Sequence, residues 1–81
     1  MNNKTMKTYR YELEDGFFVD VSESVENNKM YDFYLFHEDY TIKDLMFSTI
    51  CKKEEFENLI LNNKDEYIEF YKEEYCDADI D

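Results

Sequence analysis

The chain has 81 residues, of which 43% are hydrophobic, 19% are aromatic and 37% are charged. This length predicts one small domain over residues 1–81, whose core the seven Phe and eight Tyr can supply because each buried aromatic ring removes roughly 150–250 Å² from water. So many aromatics argue against a disordered chain, and the lack of a signal peptide or of an apolar run near ~18 residues predicts a cytoplasmic protein.

The formal net charge of −12 is unevenly distributed along the chain. Residues 1–11 hold three bases and no acid, so residues 12–81 carry all 21 acids against six bases, a net charge of −15. A surface of this sign repels nucleic acids and anionic lipids and attracts basic proteins. We therefore expect a basic protein as the partner, and neither direct nucleic-acid binding nor membrane binding.

Alternation of apolar and polar residues predicts a first β-hairpin from residues 6–13 and 17–22. A two-residue loop would place the apolar sets of the two strands on opposite faces of the sheet, whereas a three-residue loop over 14–16 places them on one face. We therefore predict the three-residue loop, with Gly16 in the left-handed conformation. The apolar residues that this register aligns are Tyr9, Tyr11, Leu13, Phe17, Val19 and Val21, and it sets Arg10 opposite Asp20 on the outer face.

A second hairpin is predicted after a polar turn at 26–29. Its first strand, MYDFYLFH at 30–37, is the most apolar stretch of the chain and is therefore expected to be central. The inward residues of this strand are Tyr31, Phe33 and Leu35. Residues 42–48, IKDLMFS, indicate a weaker fourth strand, with a helix as the alternative.

From Lys53 the hydrophobic period becomes that of an amphipathic helix. Asn62 and Asn63 interrupt the pattern, and Asn63 with Glu66 resembles a capping pair for a second helix over 64–75. One bent helix is the alternative. The residues that this segment turns toward the sheet are Tyr67, Ile68, Tyr71 and Tyr75.

These elements together predict an α+β fold. An antiparallel sheet of three to four strands, built from two hairpins, is followed by one or two C-terminal helices packed on one face. The acidic tail over 76–81 is a candidate for disorder, with an ordered tail as the alternative.

The sequence lacks the residue patterns of the common catalytic and metal sites. His37 is the only histidine, so no His pair exists, and one glycine cannot form a phosphate loop. Cys51 and Cys76 are far apart in the chain and are expected to be reduced thiols. The acids Asp77, Asp79 and Asp81 begin an EF-hand pattern but lack its glycine and its final Glu. We expect no enzyme activity, no catalytic residue, no metal and no cofactor.

Two segments, YDFYLFHEDYTIKDLMF at 31–47 and EYIEFYKEEYCD at 66–77, resemble small acidic proteins of low-GC Gram-positive gut bacteria and their mobile elements. The resemblance implies a cytoplasmic bacterial or phage-like setting and transfers no catalytic residue. Mobile elements encode small acidic inhibitors, among them anti-CRISPR and anti-restriction proteins, whose carboxylates mimic the phosphates of nucleic acids.

The acids near the C-terminus provide a candidate surface for such a role. Like charges three and four residues apart on a helix cost roughly 0.2–0.5 kcal/mol per pair, so an excess of them points to a basic partner. We expect an acidic protein-binding module, and hypothesise an inhibitor that blocks the basic groove of a nucleic-acid-binding enzyme. The predicted partner-binding residues are Glu54, Glu55, Glu57, Glu66, Glu69, Glu73, Glu74, Asp77, Asp79 and Asp81.

The aromatic residues support an alternative function. Fifteen Phe and Tyr side chains exceed what one small core can hold, and exposed aromatic patches mark interfaces. The alternative is a domain for homo- or hetero-association, including a homodimer, without inhibition or catalysis. Its predicted aromatic interface consists of Phe18, Tyr34 and Phe36.

Overall fold

The computed structural model describes residues 7–25 and 29–76, which form a four-stranded antiparallel sheet covered on one face by a helix. The strands are β1 (Thr8–Glu12), β2 (Phe17–Glu23), β3 (Met30–His37) and β4 (Asp44–Ile50), and the helix is α1 (Phe56–Tyr71). A 3₁₀ turn at Lys53–Glu55 leads into α1, and a π-helical turn at Lys72–Cys76 follows it. The predicted α+β class and the packing of the helix on one face are confirmed.

Two sequence predictions fall at least partly outside the described residues. These are the polar turn at 26–29, of which the structure describes only Lys29, and the acidic tail, of which it describes only the backbone of Cys76. Within the described ranges, no helix combines the length and the apolar character that crossing a bilayer would require.

The strands follow one another across the sheet in the order β1-β2-β3-β4. Arg10 pairs with Asp20 and Tyr11 with Val19, so the predicted three-residue loop is confirmed. Gly16 has the predicted left-handed φ of 83°, but Asp15 is left-handed as well, with φ 57°. Aspartate tolerates this region, and the amide of Phe17 closes the turn by donating to the carbonyl oxygen of Glu14.

The predicted fourth strand is confirmed as β4. It contains a bulge, which interrupts the alternation of inward and outward side chains. Phe33 pairs with Phe47 while the next residue of β3, Tyr34, pairs with Leu45, so Met46 is the extra residue on β4. A bulge of this kind shifts the phase of the side chains. Met46 and Phe47 both join the core, and Leu45 is left half-exposed.

Of the two alternatives for this segment, the structure has the single helix: α1 runs without a break through Asn62 and Asn63. The side-chain amide of Asn63 donates to the carbonyl oxygen of Leu59, 2.8 Å away, instead of capping a second helix. Asparagine is only a moderately poor helix former. Burial of Ile60 and Ile68 on either side overrides that preference.

The core lies between the inner face of the sheet and α1, and two rings anchor the helix to it. Phe56 is fully buried, with its ring centroid 4.8 Å from that of Tyr31 and 5.7 Å from that of Tyr9. At the other end, Tyr71 is also fully buried and its hydroxyl donates to the carbonyl oxygen of Ile42 at 2.7 Å. The remaining buried apolar residues are Phe17, Val19, Val21, Phe33, Leu35, Met46, Ile60 and Ile68.

We expect Gly16→Ala to lower the free energy of unfolding by about 1–2 kcal/mol, because a Cβ is disfavoured at positive φ. The new Cβ would also meet the side chains of His37 and Glu38 at 2.9 Å. Urea titration measures the loss. The matched control is Asp15→Asn, which keeps a residue tolerant of the left-handed region and should change stability little. A Gly16→Ala variant as stable as the parent protein would contradict the assigned turn.

Candidate protein-binding surface

The described acids of the predicted partner-binding set are all exposed. None of them forms an ion pair with a lysine or arginine within the ranges 7–25 and 29–76. They are Glu54, Glu55, Glu57, Glu66, Glu69, Glu73 and Glu74. Asp77, Asp79 and Asp81, the other predicted members, lie outside the described residues. The helical layer therefore presents uncompensated negative charge to solvent.

One subset of these acids belongs to a regular row along α1 and the turn before it. Exposed polar residues recur at steps of three, four, four and three, and residues at such steps lie above one another on a helix. We call this row the helix stripe: Glu55, Asn58, Asn62, Glu66 and Glu69. Asn58 and Asn62 occupy the middle of the helix stripe, so Glu55 lies at one end of it and Glu66 and Glu69 at the other. The charge pattern alone did not single out these two asparagines.

Three members of the helix stripe, Glu55, Asn58 and Asn62, border a shallow groove between α1 and β4, whereas Glu66 and Glu69 line neither of its two sections. One section, with a volume of about 300 Å³, is lined by Thr49, Ile50, Cys51, Glu55, Asn58, Leu59 and Asn62. The adjoining section, of about 290 Å³, is lined by Phe47, Ser48, Thr49, Leu59 and Asn63. Thr49 and Leu59 belong to both sections, so the groove runs continuously alongside Phe47–Ile50.

The structure divides the predicted acids between the two sides of the helix. Glu54 and Glu57 line a separate cavity with Tyr11 and Lys53, on the side of β1. Burial and then the charge of Glu57 raise the pKa of the Tyr11 hydroxyl. Glu73 and Glu74 lie beyond α1 in the π-helical turn, and Glu73 follows Glu69, the last residue of the helix stripe, by four residues. The set is therefore not a single contiguous patch.

Glu55 also has a structural function that the sequence analysis did not predict. Its carboxylate accepts a hydrogen bond of 2.8 Å from the backbone amide of Lys52, and its own amide donates to the Lys52 carbonyl oxygen at 2.9 Å. These bonds cap the first turn of the helical segment. Burial and then the charge of Glu55 raise the pKa of the Cys51 thiol, which is free.

The side of the molecule that carries β1 holds several of the described bases. Lys64 donates to the carboxylates of Glu14 and Asp65, each at 3.0 Å, and Lys53 lies 4.7 Å from the ring centroid of Tyr9. In contrast, β4 contains no lysine or arginine. At the Ile50 end of the β4 groove, however, Lys29, Lys52 and Lys53 line a cavity, so described bases lie on both sides of the helical layer.

The predicted aromatic interface lies on the outer face of the sheet. Phe18 and Phe36 face each other across β2 and β3 with their ring centroids 5.4 Å apart, and Tyr34 lies in the next outward position of β3. All three side chains are partly buried. The Arg10 guanidinium lies 4.9 Å and the Lys43 ammonium 5.0 Å from the Phe36 ring centroid, so cations cover part of this face.

A buried carboxylate, Asp20, organises those cations. It accepts hydrogen bonds from Arg10 at 2.7 and 3.0 Å and from Lys43 at 2.7 Å, and only 2% of the residue is exposed. Burial raises the pKa of Asp20, but the two cations outweigh burial and hold this pKa below its ordinary value. The pairing with Arg10 follows from the hairpin register, whereas Lys43, which the sequence placed inside the fourth strand at 42–48, lies just before β4, which begins at Asp44.

His37 connects two turns of the sheet. Its Nδ1 accepts from the amide of Asp39 at 3.0 Å, and its Nε2 donates to the carbonyl oxygen of Asp15 at 3.0 Å. Both ring nitrogens are thus used by the backbone. In the part of the chain that the structure describes, no three His, Cys, Asp or Glu side chains are grouped closely enough to hold a metal ion.

We expect Asp20→Asn to lower the free energy of unfolding at pH 7 by roughly 1.5–3 kcal/mol, because it removes charged hydrogen bonds to a buried group. The folded-state pKa of Asp20 is depressed, so its contribution is present above the unfolded pKa near 4 and is lost as pH falls through the folded value. Denaturant titrations at several pH values should show the difference between the two proteins shrinking below about pH 4. Glu14→Gln, which removes an exposed ion pair, is the control and should have a smaller effect. A difference that is constant from pH 7 to 2 would contradict this account.

Comparison of the chain with protein-family models, with curated proteins and with solved structures finds no match in any of the three.

Proposed function

We propose that this protein is a binding module for basic proteins and that the side of the helical layer carrying the helix stripe and Glu73 is its recognition surface. The observation that carries the proposal is that Glu55, Glu66, Glu69 and Glu73 are exposed and have no basic partner among the described residues. Such charges repel one another at a cost that a cationic partner would relieve. The proposal includes no catalytic step.

The recognition surface is rigid where it carries the helix stripe. Phe56 and Tyr71, both fully buried, hold the two ends of α1 on the sheet. Glu66 and Glu69 therefore keep a fixed position relative to each other on one side of the helix. A preorganised array loses less conformational entropy on binding than the same charges on a mobile tail.

As an inhibitor, the module would occupy a basic groove that otherwise binds nucleic acid. Its carboxylates would stand in for phosphates, and the mechanism is competition for the lysines and arginines of that groove. Electrostatic binding of this kind weakens with salt, because added ions screen both partners.

We expect the triple variant Glu66→Gln, Glu69→Gln, Glu73→Gln to weaken binding of a fluorescent decalysine peptide by about tenfold at low salt. Three exposed ion pairs of up to about 1 kcal/mol each account for this factor. Fluorescence anisotropy gives the affinities. The matched variant Glu12→Gln, Glu54→Gln, Glu57→Gln removes the same charge from the β1 side and should weaken binding by about threefold or less.

Equal losses in the two triple variants would mean that the peptide responds only to net charge, and would contradict the proposed surface.

The inhibitor function is tested by a competition assay, which measures whether the protein displaces DNA bound to a Cas effector. The parent protein should displace the DNA, and the Glu66, Glu69, Glu73 triple variant should not.

A second candidate function, self-association through the outer face of the sheet, is favoured by one observation. Phe18 and Phe36 are stacked on a face that no helix covers among the described residues, and Leu45 on the same face is 50% exposed. Partly exposed aromatic pairs of this kind are enriched at interfaces. The cations of Arg10 and Lys43 over the Phe36 ring reduce the apolar area that this face offers.

For this second candidate, we expect light scattering to give the mass of a dimer at both low and high salt, because apolar contacts are not screened. Phe36→Thr should return the mass to that of a monomer. Phe70→Thr changes an exposed aromatic on the opposite layer and should leave the dimer intact. A monomeric mass for the parent protein at both salt concentrations would eliminate this candidate.

A further inference from the structure

The outer edge of β4 is unpaired within the described part of the chain. β4 is the last strand of the sheet order and α1 packs mainly over β2 and β3, so one row of β4 amides and carbonyls has no strand beside it among the described residues. Free edges of this kind are templates for an added strand, and proteins usually protect them with lysine, proline, a bulge or a covering segment. β4 contains neither lysine nor proline, and its bulge at Met46 leaves Phe47–Ile50 regular.

Two exposed apolar side chains lie on the outer face of this edge, one toward each end. Leu45 pairs with Tyr34 and Ile50 pairs with Met30. Tyr34 and Met30 are an even number of residues apart on β3 and share a face, so Leu45 and Ile50 share that face as well. Leu45 is 50% exposed and Ile50 is 62% exposed. The bulge produces this apolar margin, because residues five apart on a regular strand would point to opposite faces.

This margin is complementary to a second copy of itself. When two β4 strands align antiparallel about a twofold axis normal to the sheet, one residue lies opposite itself and the two outer faces stay on the same side. With Ser48 as that residue, Ile50 of each copy would lie opposite Met46 of the other copy and next to its Leu45. Each copy would then cover the exposed Ile50 of the other.

The charges at the ends of the edge favour the same antiparallel direction. Three lysines and one carboxylate, Lys29, Lys52, Lys53 and Glu55, line the cavity at the Ile50 end. This end of the edge therefore attracts a carboxylate of a second molecule more than a lysine.

The opposite end of the edge carries carboxylates. Asp44, the first residue of β4, and Glu74 lie close to Tyr75, where burial and then these two charges raise the pKa of the Tyr75 hydroxyl. Lys43, the base next to Asp44 in the sequence, is bonded to Asp20. Antiparallel alignment brings this end of one copy toward the lysines of the other, whereas parallel alignment would bring like charges together.

The net charge opposes this contact when little salt is present. Each copy carries −12, and molecules of the same sign repel one another over a long range. Salt screens charges that are farther apart than a Debye length, roughly 8–10 Å at physiological ionic strength. The backbone hydrogen bonds and the apolar contacts of Ile50 act only at the seam, so we expect pairing to strengthen as salt is added.

We propose that the β4 edge is a dimer interface, occupied by the β4 edge of a second copy of this chain. The two strands pair antiparallel about Ser48 and join the two sheets into one, and the dimer is favoured by increasing ionic strength. Both β4 edges are used in the contact, so the assembly closes as a dimer. This interface goes beyond the proposed function and is separate from the Phe18–Phe36 face of the sheet.

A cysteine at the twofold axis tests the register, in a background in which Cys51→Ser and Cys76→Ser remove the native thiols. Directly opposed residues of antiparallel strands have Cα atoms roughly 4.5–5.5 Å apart, which a disulfide can bridge. The two Thr49 Cα atoms would lie about 8 Å apart, which is too far. We expect Ser48→Cys to form a disulfide-linked dimer at least about tenfold faster than Thr49→Cys on mild oxidation in high salt. Equal rates, or faster linkage of Thr49→Cys, would overturn pairing about Ser48.

Two exposed apolar residues give matched variants for the dimer without a cross-link. Ile50→Lys places a lysine on the edge, and Leu61→Lys makes the same charge change on α1, at a residue that is 51% exposed. Sedimentation in high salt should show dimerisation weakened at least about tenfold by Ile50→Lys and changed less than about threefold by Leu61→Lys. Equal effects would mean that association responds only to net charge, and would overturn the interface.

The parent protein supplies a readout that needs no variant to fold. Raising its concentration in high salt should increase the mass to that of a dimer and slow hydrogen exchange of edge amides in Phe47–Ile50, while exchange in β1 stays unchanged. Phe36→Thr alters the outer face and should leave both results as they are. A parent protein that stays monomeric in high salt, or a dimer that Phe36→Thr abolishes, would overturn the β4 interface.

Discussion

The position of α1 on the sheet depends on the burial of two rings, Phe56 at its first residue and Tyr71 at its last. Phe56 packs among Tyr9, Tyr31 and Phe33, and Tyr71 packs against Phe17 and donates to a backbone carbonyl. Two anchors about 22 Å apart fix the rotation of the helix about its axis. That rotation decides which acids border β4 and which border β1, so the surface chemistry follows from the core.

Much of the fold could be predicted because one side of the sheet is buried and the side-chain period of a strand is two. Only the three-residue loop aligns Tyr11 with Val19, so the hairpin register and the outward pairing of Arg10 with Asp20 follow from the pattern. The single glycine likewise marks a left-handed position. The fold class, and the sheet face that the helix covers, could be predicted from the same two-residue periodicity of the strands.

The features that could not be predicted arise from tertiary contacts. The Asn62–Asn63 pair reads locally as a helix boundary, but burial of the flanking apolar residues keeps α1 continuous. The bulge at Met46 shifts the phase of β4 by one residue, which no count of alternation reveals. Two further features could not be predicted: the division of the acids between two sides of the helix, and the groove beside Phe47–Ile50. Predicting them would require the rotation of the helix about its axis and the position of the edge strand.

The unprotected edge of β4 also has a consequence for the colloidal behaviour of the protein. Two copies could align their β4 edges along Phe47–Ile50, because lysine and proline, two of the usual safeguards, are missing from that strand and its bulge, a third, lies before this segment at Met46. Mutual repulsion between molecules of net charge −12 takes their place. Such protection acts at a distance and is collective, so concentrated electrolyte or acid, either of which abolishes it, would turn the β4 edge into a nucleus for aggregation.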